Sequence, residues 1–388
     1  MLPWKKGVLT VRVMNETMPR RARRIQHAPG PGREQGIARA SDGPDAGRRA
    51  LLRGLGGVGV LALGAWGWWS GEARATEGWL SRHPWLMPWI EKDGFDPAWL
   101  EGLLNPLEPD SKVLHLMDHQ AEAKPYFEYR AMVLNWRRID IGRRLIHRHV
   151  TLLAEVEAFY RVAPEIVVAL WGLESDFGNN QGRFNVLRTL YTLSTRYPRR
   201  AEYFQGELRA FLLLCREEGW DPRKPKGSYA GAMGQVQMMP SSLRRHAVDF
   251  NQDGRRDVVG DVTDSLASIA SFLFNHGWCP EAPLIQELPA TPELAPLVSP
   301  SAAARRPWRA WREAGIAWPA GEREPGPEEG LALIVLEERD GPRYYMTFMN
   351  FWVITRWNRS NRFAMVVCEF ARALRRMERA CGNEVFFG

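Results

Sequence analysis

The sequence predicts a predominantly helical α+β protein whose β structure is concentrated in a small carboxy-terminal lobe built around one hairpin. Three observations carry that expectation. After residue 75 apolar residues recur mainly at helical spacing. Capping and breaking residues bracket those runs. Residues 331–348 form two β-prone runs around the turn dipeptide Asp340-Gly341.

In chain order, residues 1–46 are rich in Pro, Gly and Arg and read as an unstructured leader, in which Met14 and Met18 are alternative starts. GRRALLRG (47–54) then introduces a glycine-rich apolar run (54–69) followed by Ala73-Arg74-Ala75. A charged region, a short apolar region and an A-x-A site describe an export signal. Arg48-Arg49 ahead of Ala50-Leu51-Leu52 resembles a twin-arginine signal. An uncleaved membrane anchor is the alternative, but the run is shorter than the ~20 apolar residues of a spanning helix, which favours cleavage near Ala75. No cysteine follows the apolar run to carry a lipid anchor.

DPAWLEGLL (96–104) begins with a capping Asp and a Pro, and Pro106 and Pro109 stop it. Leu145, Ile146, Leu152, Leu153 and Val156 predict one long helix over 142–160. Pro164 opens PEIVVALWGLE, a buried helix with Glu174 near its end. Residues 201–219 read as a helix stopped by Gly219. Ser241 or Ser242 is expected to cap a short helix, and 264–277 to form an amphipathic helix capped by Asp264. Residues 279–330, rich in proline, read as an irregular insertion or lobe, and 362–380 as the closing helix.

The formal charge of +7 is uneven: residues 1–75 hold 13 Lys/Arg against 5 Asp/Glu, leaving 39 basic and 40 acidic residues in the body. A near-neutral body argues against nucleic acid as a partner. Cys215, Cys279, Cys368 and Cys381 contain no C-x-x-C pair, which speaks against zinc, and allow three disulfide pairings.

WGLESDFG (171–178) holds the chemistry. Glu174 lies at the negative end of a helix, with Asp176 two residues on and Trp171, Leu173 and Phe177 around it. Dipole, like charge and desolvation would all raise its pKa, as a general acid requires, although a surface acid at a frayed end is the simpler reading of these residues alone. In GSYAGAMGQVQMMPSS (227–242), small residues permit close backbone approach, and Ser228, Gln235 and Gln237 can hydrogen-bond hydroxyls and acetamides. That mixture suits a carbohydrate.

Together PEIVVALWGLESDFG, YPRRAEYFQGEL, KGSYAGAMGQVQMMPSS, AVDFNQDG and NFWVITRWNRSN resemble, in order and approximate spacing, the B-type membrane-bound lytic murein transglycosylases. The resemblance spans about 94–374. It implies a lysozyme-like helical catalytic domain. Its parts would be an amino-terminal helical portion (76–150), a core (151–278), and a lobe with hairpin and final helix (279–388). It further implies non-hydrolytic cleavage of peptidoglycan glycan strands to 1,6-anhydromuramoyl products, with Glu174 acting alone as acid and then base and Asp176 a bystander. By motif position, Ser228 and Gln237 would contact substrate. Arg199, Arg200, Tyr203 and Tyr129 would line the groove, and Asn350, Asn358 and Trp357 would contact sugar, Trp357 standing where relatives commonly have Tyr. A hydrolytic muramidase and a catalytically silent peptidoglycan-binding scaffold are the alternatives. Periplasmic location is implied, other cell-wall enzymes are candidate partners, and no cofactor is required.

Asp249, Asn251, Asp253 and Asp257 match calcium-loop positions 1, 3, 5 and 9, and some relatives bind calcium here. Gly260 stands at position 12, where a bidentate Glu is expected, so a structural calcium site and a metal-free Asx-rich turn both fit.

Overall fold

A computed structural model describes residues 78–119, 124–280 and 282–382. The export signal falls outside them. Contacts divide the chain into two compact units, one ending at Pro106 and one beginning at Leu107. In the first, α1 (Met87–Asp93) stops at Gly94 in the left-handed conformation. Helix α2 (Pro97–Leu104) starts where the Asp96 carboxylate accepts from the Trp99 N–H at 2.7 Å, as its sequence predicts.

The second unit opens with α3 (Ser111–Asp118), α4 (Tyr126–Val133), α5 (Trp136–Arg148), α6 (Val150–Tyr160) and α7 (Pro164–Ser175). The single helix expected over 142–160 is two. His149 leaves the helical region at ψ 24°, and the bend lets Ile146 of α5 and Leu153 of α6 both be buried, with both helices packed on α7. Helix α7 is apolar on all sides because everything packs on it: Ile166 to Trp171 are buried without a break.

The strand β1 (Phe184–Asn185), α8 (Val186–Arg196), α9 (Ala201–Glu218), the strand β2 (Lys226–Gly227), α10 (Pro240–His246) and α11 (Val262–Asn275) follow. Two caps differ from expectation. Neither Ser241 nor Ser242 caps α10. Ser241 lies inside the helix, and its N–H and hydroxyl both donate to the buried Glu207 carboxylate, at 2.9 and 2.6 Å. The cap of α11 is Asp261. Asp264 is instead buried, accepting the N–H groups of Phe250 (2.8 Å) and Asp257 (2.9 Å) and so holding both ends of the intervening loop.

Residues 279–330 are better ordered than an irregular insertion. They supply β3 (Ile285–Leu288), β4 (Arg306–Pro307) and α12 (Trp308–Glu313) to the hairpin of β5 (Gly330–Glu338) and β6 (Gly341–Thr347). The antiparallel order is β3-β6-β5-β4, with Glu338 opposite Gly341 across a two-residue turn. Trp308, Trp311, Leu331, Leu333, Tyr344 and Met346 form this lobe's own core. Helix α13 (Met349–Trp357) and the long α14 (Asn361–Gly382) return the chain to the helical body, where α14 packs along α7. Cys215, Cys279 and Cys368 are unbonded thiols.

Candidate active site

Glu174 is the penultimate residue of α7. The helix ends because Asp176 and Phe177 both take positive φ, 51° and 59°. Ser175, between the two acids, fastens this end to the glycine-rich loop. Its hydroxyl donates to the Gln235 carbonyl at 2.5 Å and accepts from the Gly178 N–H at 2.9 Å. The Gln235 side chain is 5% exposed and accepts from the Trp171 indole at 3.1 Å, so it is a brace within the protein rather than a sugar contact. The loop base is equally tight: a Cβ on Gly182, at φ 86°, would sit 2.1 Å from the Gly227 carbonyl oxygen, and only glycine permits that approach.

The Glu174 carboxyl is enclosed by protein although the residue keeps some solvent contact. Its Oε1 accepts the Trp357 indole N–H at 2.7 Å. Burial pushes its pKa up to about 7, and the indole donor opposes that rise. The like charge that the sequence suggests as a further cause is absent from the site: Asp176 turns outward to Arg138 at 3.4 Å, its side chain 44% exposed. Desolvation does the work. From α4, half-buried Tyr129 faces the acid; burial first, and then the Glu174 charge, raise its phenol pKa. Arg130, beside it, forks onto Glu338 of β5 at 2.7 and 3.2 Å and reaches Glu369 of α14 at 3.4 Å. This clamp fixes α4, and therefore Tyr129, against both the lobe and the body.

Other predicted site residues are more dispersed. Ser228 is half-buried, its Oγ accepting from the N–H groups of Ala232 (3.0 Å) and Ala230 (3.3 Å). The Gln237 amide donates to the carbonyls of Gly234 (2.8 Å) and Gln181 (3.0 Å), leaving its oxygen for other partners. Arg200 lies 4.5 Å over the exposed Tyr203 ring, and Arg359, two residues after Trp357, acts electrostatically on that phenol. Arg199 is an exposed partner of Asp118 at 2.5 Å, and Asn358 is exposed next to Trp357. Asn350 departs from the expected sugar contact. It is 1% exposed and its amide is consumed by the Cys279 N–H (2.8 Å) and the Cys279 and Ala282 carbonyls (2.7 and 3.3 Å). It pins the start of the lobe. A cavity of about 860 Å³ gathers around Ala163 and Ile166, at the opposite end of α7 from Glu174.

In the acidic loop, Asp249 accepts from the N–H groups of Asp253 (3.1 Å) and Gly254 (2.9 Å), while Asn251 donates to Asp261 at 2.8 Å. Asp257 instead accepts from Val259 and Gly260, at 2.9 and 2.8 Å. The oxygen-only donors suit a hard cation. As arranged, however, they serve the loop's own amides, and among the described residues no three His, Cys, Asp or Glu side chains are gathered for a metal.

A helical core presenting one enclosed carboxyl beside a glycine-rich loop is the architecture of a lysozyme-like glycan-cleaving enzyme. Residues 82–372 match the family model described as the transglycosylase SLT domain. The membrane-bound lytic murein transglycosylase B of Escherichia coli is 34% identical over 296 residues, 74% of this chain and 80% of that protein. The Escherichia coli lytic transglycosylase Slt35, solved with calcium, superposes with a TM-score of 0.67 at 32% identity, over 77% of this chain and 93% of that one. SltB3 of Pseudomonas aeruginosa, solved with NAG-anhNAM-pentapeptide, gives 0.65 at 31% identity, over 77% and 79%. The chain belongs to the transglycosylase SLT family, and it is a peptidoglycan lytic transglycosylase with a lysozyme-like fold. Among the described residues no helix is long and apolar enough to cross a membrane.

Proposed function

We propose that the enzyme cleaves the MurNAc–GlcNAc β-1,4 bond of glycan strands without adding water, and that Glu174 handles both proton transfers. The observation that carries this is the enclosed Glu174 carboxyl with a pKa of about 7, which leaves it substantially protonated near neutrality. Its proton passes to the glycosidic oxygen as the C1–O bond breaks. The neighbouring N-acetyl group supports the positive centre, the muramoyl 6-hydroxyl closes on C1, and its proton returns to the Glu174 carboxylate. No second carboxylate takes part, unlike the two-carboxylate scheme of most glycosidases.

In this reading Tyr129, the Ser228 hydroxyl, the Gln237 oxygen and the Tyr203–Arg200 pair contact the strand, with Arg199 and Asn358 at its margins. The outward pairing of Asp176 with Arg138 speaks against the two-carboxylate form of hydrolysis, in which Asp176 would have to stand at the bond. SltB3, solved with a muropeptide, supports the substrate class. Mass spectrometry of muropeptides released from murein sacculi tests it. Anhydro products are expected; products heavier by one water would make the enzyme a muramidase, and no release would make it a scaffold.

The leader motif supports export to the periplasm, where this substrate lies and other cell-wall enzymes would be met. For the acidic loop we favour the metal-free Asx turn, so millimolar Ca²⁺ is expected to leave Tm and activity unchanged. A saturable Tm rise that disappears in Asp253→Asn would assign the loop a structural calcium instead.

A further inference from the structure

Trp357 meets the acid at Oε1, and an indole N–H can donate but cannot accept. We infer that Trp357 is a positioning residue that keeps Glu174 Oε1 an acceptor in both protonation states, so that the acidic proton sits on Oε2 and both proton transfers pass through that one oxygen. The inference rests on the acid–base reading of Glu174. It goes beyond that reading by assigning the two oxygens different work.

The argument is geometric. A protonated carboxyl has one O–H, and a proton on Oε1 would turn the acceptor of the N–H, 2.7 Å away, from a carbonyl-type oxygen into a hydroxyl oxygen, the poorer acceptor of the two. That arrangement weakens a hydrogen bond inside an enclosed site, whereas a proton on Oε2 keeps it at full strength. After transfer, the same N–H makes a charge-assisted bond to the carboxylate, stabilising the form that must later take the 6-hydroxyl proton. A hydroxyl donor at this place could rotate and accept, and would let the proton rest on the wrong oxygen.

The indole is itself held. Phe272 of α11 meets its ring edge-on, centroids 4.8 Å apart, and His276 stacks behind Phe272 at 4.0 Å with His246 beside it. Burial lowers both imidazoles from their ordinary value, His246 to about 4. Of the groups near the acid, Tyr129 titrates above neutrality and Asp176 turns outward to pair with Arg138. A change in the profile near pH 7 therefore reports Glu174.

The test compares Trp357→Phe, which keeps an aromatic ring and removes the donor, with Trp357→Tyr, which restores a donor that can also accept. In the full-length enzyme acting on sacculi, Trp357→Phe is expected to move the alkaline limb of kcat up by about one pH unit and to lower kcat about tenfold, with KM within about twofold. Trp357→Tyr is expected to return the limb to the wild-type position while kcat stays a few-fold low. The Glu174 titration, followed by carboxyl ¹³C NMR without substrate, is expected to rise in Trp357→Phe alone. If the limb and the NMR titration stay put, or if KM rises with kcat unchanged, Trp357 is a packing or stacking residue and the inference fails. If Glu174→Gln is itself active, the acid–base reading fails instead, so the two failures are distinguishable.

Discussion

Glu174→Gln is expected to lower kcat on murein sacculi by about 10³–10⁴-fold, the upper part of the general acid–base range, because one group serves both proton transfers. Amide and carboxyl are nearly isosteric, and the Gln oxygen can still accept the Trp357 N–H, so the loss should be chemical rather than structural. Stability supplies an independent check. The folded pKa of about 7 lies above the ordinary 4.5 of the free carboxyl. Between those values the folded state binds more protons than the unfolded one, so stability falls as pH rises from about 4.5 to about 7. Allowing for partial exposure, the penalty above pH 7 is about 2 kcal/mol. Glu174→Gln abolishes it: thermal melts at pH 5 and pH 8 should show the variant gaining on the wild type at the higher pH. Wild-type kcat should decline above about pH 7 as the acid loses its proton. A variant retaining full activity would remove Glu174 from the mechanism.

Arg130→Ala is expected to cost about 2–3 kcal/mol of stability and at least tenfold in kcat. Its fork onto Glu338 and its reach to Glu369 join α4 to β5 and α14. Removing it strands the Glu338 side chain, only 8% exposed, without its cation. Breaking a fully buried pair costs about 3–5 kcal/mol, and the 36% exposure of the Arg130 side chain places this one below that range. Activity should fall beyond what unfolding explains, because Tyr129 faces Glu174 from the same helix turn. Urea unfolding, with kcat measured well below the transition, separates the two effects. Arg130→Lys should keep part of the stability and little of the fork geometry. An Arg130→Ala enzyme with unchanged Tm and kcat would show that α4 is held without the clamp.

Local signals located most of the framework and the acid itself. The apolar run of PEIVVALWGLE predicts a helix buried on every side, and α7 is one. Asp96-Pro97 and Gly219 mark helix ends because capping is written in neighbouring residues. The break at His149, by contrast, carries no local signal; it exists because two apolar stretches must both reach α7. Asp264 was the natural cap to expect, yet Asp261 caps the helix, while Asp264 is taken by two amides that tertiary folding brings to it.

The sequence alone determined that a glutamate would stand near the end of a buried helix, ahead of a glycine-rich loop. Residue type, helical period and capping depend on neighbours a few positions away, and those are visible in a linear chain. Only the tertiary structure decided which partner controls that glutamate. Trp357 lies 183 positions from it and reaches its oxygen at 2.7 Å, Asp176 next door turns away, and Asn350 is drawn inside to pin a loop. Hydrogen bonds inside a protein follow distance in space, and the packing of α7 against α11 and α14, with α13 packed on those two helices, sets that distance.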